Sequence, residues 1–133
     1  MINLAPLINL APYGATVGRI LLALIFVLSG YNKIVGYEGS AAFMGKFGVP
    51  DHFLPLVILT ELGGGLALIA GWQTRIAAFL LAGFTLLAAI IFHTDFANQV
   101  QYVFFMKNLA IAGGLLALVA HGPGPLALDT RGK

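Results

Sequence analysis

Apolar residues fill four long blocks of the chain, and polar residues gather in the short gaps between them. The block "RIAAFLLAGFTLLAAIIF" (75–92) has no polar face to offer water. A bilayer core about 30 Å thick takes about 20 mostly apolar residues as one helix. The pattern predicts spans over 13–33, 53–71, 74–93 and 102–121. Pro55 falls near the start of the second, where its missing N–H costs little. "GWQT" is short enough to make the second and third a tight antiparallel hairpin, and "GPGP" (122–125) stops the fourth. The expected fold class is all-α: an integral membrane antiparallel four-helix bundle, one membrane domain over 1–133. Pro6 and Pro12 are expected to prevent a continuous helix before the first span, leaving an interfacial lead-in.

The connections add detail. In "IVGYEGSAAFMGKFGVPDH" (34–52), Tyr37, Phe43, Met44 and Phe47 are spaced for one face of a short helix. An interfacial or partly re-entrant helix over the outer mouth of the bundle is expected there. Arg75, Arg131 and Lys133 lie on one side of the membrane, against Lys46 on the other. Basic residues favour the cytoplasm. Both termini and the tail 122–133 are therefore expected inside, with loops 34–52 and 94–101 outside.

Composition sharpens the class. Only 9% of residues are charged, whereas soluble domains carry about a quarter. The net charge of +2 is scattered, with no basic run or RNA-reading motif, which excludes nucleic acid as a partner. There is no cysteine. That removes disulfides, thiolate nucleophiles and cysteine-ligated clusters.

The ionisable residues inside the spans then need partners. Each costs about 2.5–3.5 kcal/mol at mid-bilayer on insertion scales, so it turns inward. Arg19, Ala23, Phe26, Gly30 and Lys33 form one stripe of the first helix, and Glu61, Gly65 and Leu68 one of the second. Arg75, Ala82, Leu86, Ala89 and His93 align in the third; Lys107, Gly114, Ala117 and His121 nearly align in the fourth, with Asn108 beside Lys107. At 1.5 Å per residue Glu61 lies about 12 Å below the outer surface, and Lys107 and Asn108 about 8–9 Å. Side chains lean toward the helix N-terminus. Glu61, Lys33, Ser29, His93, Lys107 and Asn108 are thereby expected to form one polar cluster in the outer half. Arg19 lies in the inner half, to snorkel to the interface or reach a carbonyl.

Two readings of the cluster stay open: an ion pair that fixes helix register, or a ligand or proton site with Glu61 and His93 as the titrating groups. The surplus of cations favours an anionic or carbonyl-bearing ligand. His93 and Asp95 lack a third and fourth metal ligand at suitable spacing, so no metal site is expected. "GATVG" (14–18) fits the GxxxG pattern of helix pairing and makes a homo-oligomer an alternative.

"RILLALIFVLSGYNKIVGYEGSAAFMGKFGVP", "TELGGGLALIAGWQTRIAAFLLA" and "KNLAIAGGLLALVAHGPGPLALD", in that order, resemble the DoxX family of small four-helix membrane proteins. The resemblance runs from about Arg19 to Asp129. Ala127 stands where the family often has serine. The resemblance implies a bacterial or archaeal inner membrane, and relatives among thiosulfate:quinone oxidoreductase subunits and redox-stress complexes. A quinone is the cofactor it suggests, with redox proteins as partners. A chain without cysteine does no persulfide or disulfide chemistry, so a quinone or a partner must carry the electrons. The leading expectation is a subunit or accessory of a quinone-linked redox system. In it Lys33 and Lys107 clamp a head group, Glu61 accepts protons or anchors ion pairs, and His93 relays protons at the mouth. A small-solute or proton-coupled carrier and a non-catalytic scaffold are the alternatives.

Overall fold

The computed structural model describes residues 1–132. Four of its helices are long and apolar enough to cross a membrane. They are α1 (Ala5–Val35), α3 (Asp51–Ala70), α4 (Thr74–Phe92) and α5 (Gln99–His121). A short helix, α2 (Tyr37–Lys46), joins α1 to α3. Among the described residues there are no strands. The chain is an all-helical membrane bundle.

The prolines near the start do not stop α1, contrary to the expectation. Pro6 sits in the first two helical positions, where an N–H has no intrahelical partner anyway. Pro12 lies inside and gives up one bond, in a turn whose residues are mostly exposed. Thr16 Oγ1 donates to the Pro12 carbonyl at 3.1 Å. At 1.5 Å per residue the 31-residue helix reaches about 46 Å, well beyond the bilayer core. The fourth spanning helix also begins early, at Gln99 rather than 102. The Asn98 side chain accepts from the N–H groups of Val100 and Gln101 at 3.0 and 3.4 Å, which caps it.

Packing follows the small residues. The centre holds Ala23, Phe26, Leu68, Ala77, Ala78, Leu81, Ala82 and Leu115. Helices α1 and α3 meet where Gly30 faces Leu62 and Gly65 faces Val27. A Cβ added to Gly65 would lie 2.8 Å from the Val27 side chain, so alanine there would drive the helices apart. The predicted stripes of α1 and α3 are the buried ones. On α5 the buried face is Ala112 and Leu115, not the stripe through Lys107, Gly114, Ala117 and His121. On α4, Ala82 and Ala89 are buried as expected, but Arg75 is exposed.

One end of the bundle is tied by the C-terminal tail. Helix α3 ends at Gly71, whose φ of 68° is left-handed. The Trp72 N–H reaches back to the Ala67 carbonyl at 2.9 Å, closing the helix end. The tail then returns over this turn. Asp129 N–H donates to the Gly71 carbonyl at 2.9 Å. The Asp129 carboxylate accepts from the N–H groups of Gln73 and Thr74, both at 2.8 Å, and so caps α4 from a distant part of the chain. Arg19, 3% exposed, completes the knot. Its guanidinium donates to the carbonyls of Pro123 (2.6 Å), Leu126 (3.0 Å) and Ile69 (3.4 Å). Of the two fates expected for Arg19, reaching carbonyls is the one realised. Ala127 packs directly on Gly71, where a Cβ would stand 2.3 Å from its own.

Candidate functional site

At the opposite end, near α2, the helices leave a cavity of about 1260 Å³. Ligand pockets commonly measure about 300–1,000 Å³, so this one is roomy. Its walls are mostly apolar, supplied by α1, α2, α3 and α4, with Ile111 from α5. Its polar lining is Ser29, Asn32 and Lys33 from α1, Ser40 from α2, Thr60 and Glu61 from α3, Thr85 from α4, His93 just beyond it, and Asn108 from α5.

Glu61 and Lys33 are its charged pair. Lys33 ends the inward stripe of α1, and Ser29 lies one turn below it. The Lys33 ammonium is 2.7 Å from Glu61 Oε1 and donates to Ser29 Oγ at 2.7 Å. Glu61 is 4% exposed. A carboxylate this enclosed needs its cation, because an unpaired charge away from water costs several kcal/mol. An ammonium has three N–H groups. Ser29 takes one of them, Glu61 is held by charge, and Lys33 itself lines the cavity.

The backbone at Glu61 is unusual. Residues Leu59–Gly63 form a π-helical turn in the middle of α3. Such turns carry an extra residue and recur at functional sites. Within it Thr60 Oγ1 donates to the Leu56 carbonyl at 2.8 Å. Apolar periodicity gives no sign of this turn; its nearest signal is the polar pair Thr60–Glu61 in an apolar run.

The other walls are held by separate bonds. Asn108 Nδ2 donates to the Thr85 carbonyl at 3.3 Å, tying α5 to α4, and Thr85 Oγ1 donates to the Leu81 carbonyl at 2.7 Å. His93 Nδ1 is 2.7 Å from Gln101 Oε1, and its ring meets Phe104 edge-on at 5.4 Å. A carbonyl oxygen only accepts, so Nδ1 is the donor in this pairing. Over the end, α2 sets Phe43 and Phe47 against Phe92, with centroids 5.5 and 5.0 Å apart. Met44 of α2 is buried beneath. Tyr37 departs from the expected face and lines a separate apolar groove with Pro55 and Ile58.

The structure thus gathers Ser29, Lys33, Glu61, His93 and Asn108 around one cavity, and leaves out Lys107. Lys107 is exposed and does not line it. Adjacent residues on a helix differ by about 100°, so Lys107 and Asn108 cannot both face inward. Asn108 takes the inner position through its bond to α4. Among the described residues no bond joins His93 or Asn108 to the Lys33–Glu61 pair. The expected single cluster is a pair and two outposts across a cavity. Sequence reasoning missed Asn32, Thr60, Thr85 and Gln101. Thr85 was open to discovery as the polar residue on the buried face of α4. Among the described residues no group of three or more His, Asp or Glu forms a metal-binding set.

The profile of the DoxX family matches residues 14–94, more than half of the chain and the stretch that supplies Ser29, Lys33, Glu61 and His93. The chain belongs to the DoxX family. It is 49% identical over 121 residues to the "Inner membrane protein YqjF" of Escherichia coli (strain K12), covering 91% of this chain and 93% of that one. The "Inner membrane protein YphA" of the same organism is 34% identical over 122 residues, covering 86% and 87%. A Bacillus subtilis (strain 168) protein named "Putative oxidoreductase CatD" is 36% identical over 78 residues, 59% of this chain and 58% of that one. No solved structure matches the chain significantly.

Proposed function

We propose that this DoxX-family protein is a component of a quinone-linked redox system of the inner membrane, with the cavity as its ligand pocket and both termini in the cytoplasm. One observation carries the reading. The Lys33 ammonium, charge-paired with buried Glu61, lines a cavity whose other walls are largely apolar. The name of the Bacillus relative is in keeping with a redox role.

The donor set suits a quinone head. Lys33 offers an N–H to one ring oxygen. Across the cavity, the second N–H of the Asn108 amide, beyond the one given to Thr85, offers another. A bound quinone supplies two-electron carriage, which a chain without cysteine does not provide from its own side chains. Glu61 is the group beside Lys33 that takes or returns a proton, and it lines the cavity. His93, bonded to Gln101 and lining the cavity near the α2 end, is placed to relay protons to the headgroup region. Phe43 and Phe92 add an aromatic wall to the cavity at the α2 end.

The test is quinone binding by the purified protein in lipid nanodiscs. The native chain is expected to bind, and Glu61→Gln and Lys33→Met to weaken binding about tenfold or more, as loss of a charge-assisted hydrogen bond does. Absence of binding by a folded native protein, or equal binding by both variants, would overturn the reading.

A further inference from the structure

The cavity is not closed at its sides. Leu28 on α1, Leu56 on α3, and Leu80 and Leu87 on α4 all line it, yet each is 52–57% exposed. A residue that both lines a cavity and shows half its surface outside stands at an opening. These residues lie on apolar spans, so the openings face acyl chains rather than water.

The helix packing explains them. Helices α3 and α4 touch closely at Gly64, where a Cβ would lie 3.0 Å from Leu81. Toward the α2 end, the first part of α3 (Leu54–Ile58) packs on α1 instead of α4. The hairpin is pinched at its turn and parted at its mouth. Helices α1 and α5 behave alike, approaching at Leu22 and Gly114 and contributing Leu28 and Ile111 to the cavity further along. At the α2 end Phe43 and Phe92 line the cavity and stack with Phe47, and exposed Asn32, Gly36 and Gly39 line it there as well. The side openings are framed by apolar residues, whereas the α2 end carries the polar Asn32, Ser40 and His93.

We infer that the cavity takes a membrane-dissolved amphiphile, which enters sideways between helices. Its compact carbonyl- or hydroxyl-bearing head reaches Lys33, and its hydrocarbon chain trails out past Leu87 or Leu28. This rests on the pocket reading above and adds the route of entry and the place of the hydrocarbon chain. The volume supports it: a ring head alone leaves much of 1260 Å³ unfilled, and a chain occupies the apolar remainder.

The absence of cysteine makes a direct test possible. A single thiol is placed in the cavity by Ser29→Cys, or by Ala88→Cys should the first variant fold poorly. Two thiol reagents are compared in liposomes: a maleimide bearing a hydrocarbon chain, and a charged, water-soluble methanethiosulfonate. Each rate is scaled to the same reagent's rate at Asp95→Cys in the α4–α5 connection. The lipid-borne reagent is expected to lead by about tenfold or more, since the chain concentrates it in the bilayer. Adding Leu28→Trp and Leu87→Trp together is expected to slow it several-fold, whereas Ile90→Trp, exposed but away from the cavity, leaves it unchanged. A lead for the charged reagent, or indifference to the paired tryptophans, would overturn lateral entry. Labelling needs no head-group recognition, so a failure here is separable from a failure of quinone binding.

Discussion

The two ends of the bundle treat a buried charge in opposite ways. At the tail end Arg19 meets three backbone carbonyls, and Ala127 fills the space over Gly71. At the α2 end Glu61 meets Lys33 beside a large cavity. The first arrangement spends its donors on the chain itself, which is what a fastener does. The second leaves its pair beside open space, which is the arrangement the proposed pocket requires. Motif residues of one family therefore divide into a structural set and a pocket set, although all look alike as polar residues in an apolar chain.

The division can be broken by mutation, beginning with the largest effect. Arg19→Ala strands three carbonyls and opens a void, so a stability loss of about 3–5 kcal/mol is expected in unfolding from detergent micelles. Gly71→Ala puts a Cβ into Ala127 at a left-handed φ of 68°, with an expected loss of about 2–3 kcal/mol in the same assay. Asp129→Ala removes the remote cap of α4 and is expected to cost about 1–2 kcal/mol. The paired change Lys33→Met with Glu61→Leu removes both charges at once. Replacing a buried ion pair by apolar groups is often near neutral, so a stability change within about 1 kcal/mol is expected, together with loss of quinone binding. A paired variant that unfolds as readily as Arg19→Ala, or binds as well as the native chain, would erase the contrast. Phe43→Ala is the finest probe. It removes one member of the aromatic wall and is expected to cost about 1 kcal/mol. It is also expected to raise labelling of the Ser29→Cys thiol by the water-soluble reagent.

Much of the fold was legible because a bilayer imposes simple rules. The four spans follow from block length, and the inward stripes of α1 and α3 from the spacing of Arg19, Lys33, Glu61 and their glycines. Depth put Lys33 and Glu61 in one expected cluster, but it did not choose between Lys33 and Lys107 as the partner. Helix ends were less legible. Pro12 reads as a breaker locally, yet a mostly exposed early turn tolerates one lost bond. The rotation of α5 was misread because Lys107 draws attention as a charge, while the interior position belongs to Asn108.

By itself the sequence determined the environment, the number of helices, and the need for each buried charge to find a partner, since a 9% charged chain in apolar blocks has few other solutions. Tertiary structure alone decided which partner each charge received, that the tail folds back to engage Arg19 and cap α4, that Glu61 rides on a π-helical turn, and that the helices part into a cavity. The physical reason is one of range. Hydropathy and helical period act within a few turns, whereas the meeting of residue 19 with 126, or of 33 with 61, depends on how whole helices cross.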